Sequence, residues 1–298
     1  MANDICKYTD LDAEVCDCKT HQAERLRMTA PTTPGLYPDI PELVYHSDTD
    51  SLSSTGVRTL VGVGGPAKFI GAEREHNDDF DIGTAAHTLL LGTGAGIHEV
   101  NQTSWQSKIA KEERAKARAL GKIPLLTKQA DRVRAMVEVA LAHPEVAARL
   151  AVAVSEMTAY AMDPATWVML RARFDSIRVD EDAMEVEIDD YKTTKDASPR
   201  GFPKSAAEYG YHVQEAHYRR VITELGYTVK RFTFIAQEKT PPYLVCLHEF
   251  GPDDIAEGDR IVTEGIELWD QCRAAGEWPG YGDQTNRMHL PSWALRKW

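Results

Sequence analysis

The chain has 298 residues, 43% of them hydrophobic and 27% charged, with 34 lysines and arginines against 46 aspartates and glutamates for a formal charge of −12. That length supports one large domain or two small ones around a real core, and the composition is that of a globular protein. No run of about 18 apolar residues occurs, so no membrane span is expected, and the acidic balance argues against broad adhesion to nucleic acid.

The N-terminal stretch MANDICKYTDLDAEVCDCKT has no apolar h-region, so no signal peptide is expected. Five scattered cysteines, an odd number, read as reduced thiols of an intracellular protein. Cys6, Cys16, Cys18 and His21 form the one cluster that invites zinc. The single residue between Cys16 and Cys18 is tighter than the usual ligand spacing, and no second ligand pair follows, so free thiols on a tail are the preferred reading. Residues 1–40 lack sustained periodicity and close on Pro31, Pro34 and Gly35. They are expected to be a flexible tail or linker, which leaves 41–298 as one domain.

From there the chain alternates helices and strands. Asp50 to Thr55 offers several N-caps for a short helix through Arg58 and Leu60. Gly62, Gly64 and Gly65 resemble a phosphate loop, but no Gly-Lys-Ser/Thr follows, and a turn is the better reading. Residues 80–91 form a tightly packed helix in which His87 sits among small and apolar neighbours; alone, it reads as a core histidine. Residues 103–122 are a basic helical segment, either a solvated face or a DNA-facing arm. Thr127 is expected to cap a helix reaching Ala142, before Pro144. A short helix over 145–153 then leads to Glu156.

The run 167–179 is a strand that places Arg171, Arg173 and Asp175 on one face, with Ala172 and Phe174 on the other. After a turn at 180–182, Met184, Val186 and Ile188 alternate with Glu185, Glu187 and Asp189, the period of a half-buried strand. Continuing that alternation puts Asp190 and Lys192 on the apolar side and sends Asp189 to the other. A buried charge is costly unless paired or metal-bound, so this break in the pattern marks candidate chemistry. A helix over about 204–225, strands at 232–236 and 243–250, and a helix over 253–275 complete the chain. The fold expected is α/β, a mixed central sheet with the 167–192 hairpin at its heart and helices on both sides.

Asp175 and Asp190 come side by side if the two strands pair antiparallel. Converging carboxylates repel unless a cation lies between them, and such oxygen ligands suit Mg²⁺ or Mn²⁺. Lys192, two residues along, reaches the same space, where it can polarise a water or stabilise charge on a phosphate. The alternative is a plain salt bridge within the hairpin.

The order Gly83-Thr84-Ala85-Ala86-His87, Glu156, Arg171-Ala172-Arg173-Phe174-Asp175, Ile188-Asp189-Asp190-Tyr191-Lys192 and Gln214 to Tyr218 resembles the PD-(D/E)xK nuclease superfamily. More narrowly, it resembles the RecE-type phage and prophage exonucleases, with kinship to lambda exonuclease and RecB-type nuclease domains. The resemblance implies a restriction-endonuclease-like core with His87, Asp175, Asp190, the Tyr191 carbonyl and Glu156 around the metal. Lys192 is then the catalytic lysine, with Gln214 and Tyr218 bordering the site toward the DNA end; taken alone, those two are as well explained by a helix surface. It further implies a Mg²⁺-dependent exonuclease acting on double-stranded DNA ends, 5′→3′, that leaves 3′ single strands for an annealing recombinase. A homo-oligomeric ring in the cytoplasm of a bacterial host is part of the same expectation, its basic channel reconciling DNA with the acidic total. The alternatives are an endonuclease or single-strand nuclease with the same site, or a catalytically silent DNA- or protein-binding module. The iron–sulfur cysteines of some RecB-type relatives are absent, and no Walker A pattern is present.

Overall fold

The hairpin expected from residues 167–192 lies in the middle of a seven-stranded mixed sheet. The computed structural model describes residues 29–71 and 78–294; the Cys6, Cys16, Cys18 and His21 cluster lies outside them. In chain order the elements begin with β1 (Gly35–Tyr37), α1 (Glu42–Ser47), β2 (Ser51–Ser53), α2 (Ser54–Val61), α3 (Gly65–Gly71) and α4 (Asp78–Leu91). There follow β3 (Ile97–Val100), α5 (Lys108–Ala119), β4 (Ile123–Leu126), α6 (Thr127–Ala142), α7 (Pro144–Leu150), β5 (Val154–Met162) and β6 (Met169–Asp180). The last are β7 (Glu185–Thr194), α8 (Phe202–Tyr209), α9 (Tyr211–Glu224), β8 (Thr228–Glu238), β9 (Val245–His248) and α10 (Pro252–Ala275).

The sheet runs β1-β5-β6-β7-β8-β9, with β2 beside the start of β6. All pairs are antiparallel except β2–β6 and β7–β8. A parallel pair cannot be closed by a tight turn, and the β7–β8 connection accordingly crosses over through α8 and α9. β3 and β4 form a separate parallel pair.

Alternation along the central strands divides two cores. Val186, Ile188, Phe232 and Phe234 face one, closed by α2, α9 and α10. Tyr191 and Ile235 face the other, closed by α4, α6 and α7. Each fully buried side chain of this size contributes about 1.5–3 kcal/mol. A one-residue slip of β7 would turn Glu187 and Asp189 into the first core, so the register is firmly held.

Several expectations change. The sheet begins inside the segment expected to be a linker, because Gly35–Tyr37 pairs with Tyr160–Thr158 of β5. β5 occupies 154–162, where no strand was expected, and α7 stops at Leu150. Met184 is not on the inward face: it lies in the turn with φ 51 and is 40% exposed. The helix expected over 204–225 is two helices broken at Gly210, whose φ of 65 is left-handed. A side chain there would also meet Arg58, whose guanidinium caps the carbonyl of Tyr209. The N-cap of α6 is Leu126 rather than Thr127; the Gln129 side chain accepts from the Leu126 N–H at 2.9 Å.

Helices α9 and α10 touch at glycine. A Cβ at Gly258 would stand 2.4 Å from the His212 carbonyl oxygen and 2.9 Å from Ala216 Cβ, whereas one at Gly71 would meet nothing within 4 Å. Gly258→Ala should therefore cost about 1–3 kcal/mol, a fall of roughly 2–10 °C in melting temperature for a domain of this size. Gly71→Ala, followed by the same thermal melt, should leave it unchanged or slightly raised.

Candidate metal centre

The β6–β7 ladder ends at the pair Ser176–Asp189. Beyond it the strands part, and the Asp175 carboxylate takes the freed Tyr191 N–H at 2.8 Å. On the other side, β5 pairs with β6 at Ser155–Ser176 and Met157–Phe174 but skips Glu156, which has a left-handed φ of 57. Phe174 and Ile177 pack into the same core although three residues apart, a spacing a regular strand does not allow on one face. The strands are thus distorted where they carry Glu156 and Asp175, as happens where a side chain must be re-aimed.

His87 enters from α4, a histidine of the site rather than of the core. Its Nε2 is 3.0 Å from Asp175 Oδ1 and its Nδ1 is 3.6 Å from Glu156 Oε1. Ligand atoms of these three residues all lie within 4.8 Å of one another. Gly83 admits α4 this close, since a Cβ there would stand 3.0 Å from Thr193 Oγ1 of β7.

Asp190 is buried and doubly engaged: Lys192 Nζ is 2.5 Å from one carboxylate oxygen and Gln214 Nε2 donates to the other at 2.7 Å. The Lys192 ammonium also lies 5.1 Å from the centre of the Tyr211 ring. The two aspartates are therefore held from opposite sides of the sheet, Asp175 by α4 and Asp190 by α9. The one-face pairing expected of Asp175 and Asp190 is thus an approach from two faces. The donors that converge most closely include Glu156 instead, and Asp190 borders them through Lys192. Asp189 points away, as alternation predicts, and pairs with Arg149 at 3.0 Å.

Tyr218 is not brought to the open side of the site. Its ring is buried edge-on against Phe174, with centroids 5.1 Å apart, and its hydroxyl is bonded to the Gln214 side chain. In this arrangement it packs beneath Gln214. Tyr191 sends its side chain to the second core, where the hydroxyl is 2.5 Å from Gln237 Oε1.

Arg173 had no role in the reading of the sequence. Its Nε lies 3.7 Å from Glu156 Oε2 and its guanidinium 4.6 Å from the centre of the Tyr45 ring. Arg171, also beside Tyr45, bonds Ser51 and pairs with Asp48. The alternation Arg171, Arg173, Asp175 carried that signal, but nothing local to it pointed to Tyr45 or Glu156 as partners.

Charge balance accounts for the protonation states. Burial works against a charged His87, yet the carboxylates of Asp175 and Glu156 outweigh it and lift the imidazole to about 9. Burial also pushes Glu156 up. Asp175, although buried, is held below the usual carboxylate range by His87 and Lys192. Burial raises Asp190 to about 6 against the pull of Lys192. Burial disfavours the Lys192 ammonium, but Asp190 and Asp175 outweigh it, so lysine stays charged at neutral pH. Two carboxylates and an imidazole within 4.8 Å of one another are a donor set that suits a divalent cation once His87 has lost its proton, so the residues present fit one.

Comparison with known proteins follows the same line. The family described as a PDDEXK-like domain of unknown function (DUF3799) matches residues 67–291. Among solved structures, this chain is similar to a protein of Eubacterium rectale assigned provisionally as an exonuclease. The TM-score is 0.58 and the identity 10%, over 87% of this chain and 98% of that one; a likeness at this identity speaks for the fold alone. A phage-related exonuclease from Haemophilus somnus 129PT overlays with TM-score 0.32 at 10% identity, covering 76% of this chain and 96% of that one, too loosely to argue from. No curated protein sequence matches.

A ligating imidazole must first lose its proton. With His87 at about 9 in the metal-free protein, affinity for Mn²⁺ should rise between pH 6 and pH 9, by at most about tenfold per unit, with release of a proton. Calorimetric titration in buffers of different ionisation enthalpy reads that release directly. His87→Ala should flatten the dependence over this range.

Proposed function

This chain belongs to the PDDEXK-like family, and on that premise we propose that it is a divalent-metal-dependent deoxyribonuclease that degrades double-stranded DNA from its ends. One observation carries the reading: His87, Glu156 and Asp175 converge within 4.8 Å beside an Asp190–Lys192 pair at 2.5 Å. A purely structural Asp190–Lys192 salt bridge would need none of the three outer donors, and once His87 loses its proton the two carboxylates and the imidazole become a donor set for a divalent cation.

In this reading His87, Glu156, Asp175, Asp190 and the carbonyl of Tyr191 hold Mg²⁺ or Mn²⁺. When bound, the ion supplies Lewis acidity toward a phosphoryl oxygen and makes water a better nucleophile. The chain's own groups do the rest. Lys192, kept as an ammonium, stabilises the negative charge that grows on the phosphoryl and leaving oxygens as water adds to phosphorus and the P–O bond to the next nucleotide breaks. Gln214 fixes one oxygen of Asp190, which leaves the other for Lys192. Arg173 steadies Glu156 from behind, and the Tyr191 N–H locks the Asp175 carboxylate. Each carboxylate is thus oriented before substrate arrives, as a preorganised electrostatic site requires.

The resemblance to RecE-type exonucleases supports the finer assignments: 5′→3′ direction, 3′ single strands passed to an annealing recombinase, and a ring-shaped oligomer within a bacterial host. No helix of the described residues is long and apolar enough to cross a membrane.

End-labelled linear duplex and covalently closed circular DNA, incubated with Mg²⁺ and with EDTA, test the reading. Linear duplex should be degraded progressively from its ends, closed circles should survive, and EDTA should stop the reaction. Asp175→Ala and Lys192→Ala should each lower the rate by about 10²-fold or more while a cooperative thermal melt shows each variant folded. Cleavage of closed circles would make the enzyme an endonuclease, and full activity in both variants would remove the assignment.

A further inference from the structure

We propose that Tyr209 is a stacking platform for a nucleobase of the strand being cut, one that flanks the phosphate held at Lys192; the proposal rests on the nuclease reading above. Tyr209 is the last residue of α8 and is 56% exposed. A single exposed aromatic is ordinary by itself. What sets this one apart is its alignment with Tyr211.

Residues two apart on one continuous helix do not face each other. The left-handed break at Gly210, between α8 and α9, lifts that restriction. The rings of Tyr209 and Tyr211 accordingly lie 5.8 Å apart with an interplanar angle of 24°. Tyr211 in turn stacks on the buried Phe234, 5.7 Å away at 18°. Three nearly parallel rings thus run from the core to the surface, and Tyr209 ends the series. With Tyr211 on one side and more than half of its surface open, it presents an aromatic face to solvent.

The backbone beneath the ring is held as well. Arg58 Nη1 donates to the Tyr209 carbonyl, while Nη2 bonds Thr55 Oγ1 at 3.0 Å and Nε donates to the Ser54 carbonyl at 3.3 Å. A ring with two torsions, already stacked and anchored, loses little freedom when a ligand covers it.

Position identifies the ligand. Lys192 Nζ is 5.1 Å from the centre of the Tyr211 ring, so Tyr211 adjoins both the lysine and the platform. Bases along a strand stack about 3.4 Å apart, and the two steps from Lys192 to Tyr209 together span about three such intervals at most. The flat, uncharged group that a polynucleotide carries this close to a bound phosphate is its base. Every base has a π-face, so the platform reads the presence of a base rather than its identity.

The test is a binding series in EDTA, read by fluorescence anisotropy, with duplexes that carry one abasic site at successive positions from an end. For the wild-type chain, an abasic site at one position of one strand should weaken binding by about 5-fold or more. Tyr209→Ala should lose a similar factor on intact DNA and be indifferent to the abasic site at that position, a coupling that lost packing alone does not produce. Tyr209→Phe and Tyr209→Trp should keep both the affinity and the position dependence, Tyr209→Leu should lose them, and thermal melts should show every variant folded. An alanine variant with wild-type affinity, or one whose dependence on the abasic site matches the wild type's, overturns the platform even if the wild type cuts DNA. A wild type that shows the coupling yet cuts nothing under Mg²⁺ or Mn²⁺ overturns the nuclease reading and leaves a base-stacking platform standing.

Discussion

Two carboxylates, Glu156 and Asp175, occupy one small space, and the local architecture follows from making that tolerable. Two like charges about 4 Å apart repel by about 4 kcal/mol at the effective dielectric of a protein site, a large share of the 5–15 kcal/mol by which a domain is typically stable. His87 supplies the opposing charge, 3.0 Å from Asp175 and 3.6 Å from Glu156. For it to do so α4 must lie against β7, which small residues at 83, 85 and 86 permit. Glu156 must leave regular strand geometry to join them, a conformation of the kind that costs about 1–3 kcal/mol. A fold that accepts both costs at one point fits the divalent-cation site proposed above.

The second layer of the site divides the work between the faces of the sheet. From α9 come Gln214 and Tyr211, which hold Asp190 and Lys192. From the strand pair β5–β6 come Glu156 and Arg173, the latter braced by Tyr45. At the fork between β6 and β7, side chains supported from both cores meet, whereas a continuous ladder would keep them on opposite sides. Parting of the ladder beyond Ser176 is therefore the structural event that creates the centre, and the Asp175 bond to the Tyr191 N–H holds it open.

The acidic total of the chain and a polyanionic substrate are compatible on this account. Many cations are spent in pairs away from the site, such as Arg219 with Glu215, Arg231 with Glu187 and Arg220 with Asp259. Lys192, by contrast, lies within the centre, 2.5 Å from an Asp190 oxygen. The field relevant to a bound strand is the local one, since charges beyond about 10 Å are largely screened at ordinary salt.

The sequence alone determined what depends on neighbours along the chain. Period-two alternation identified β7 and turned Asp190 and Lys192 to one side and Asp189 to the other; helical spacing found α4, α6 and α10; and the ordered motifs pointed to a PDDEXK-like core. Strands of three residues, as in β1 and β2, are too short to show a period, and β5 was missed although its register against β6 is kept on both sides of Glu156, where the backbone turns left-handed. Only the tertiary structure decided that Glu156 joins His87 and Asp175, that Asp190 is held by Gln214 and Lys192, that Arg173 belongs to the centre and that Tyr218 is packed beneath it. Those facts depend on which elements stack on which face of the sheet and on a local departure from strand geometry, and alternation within a single segment carries no record of either.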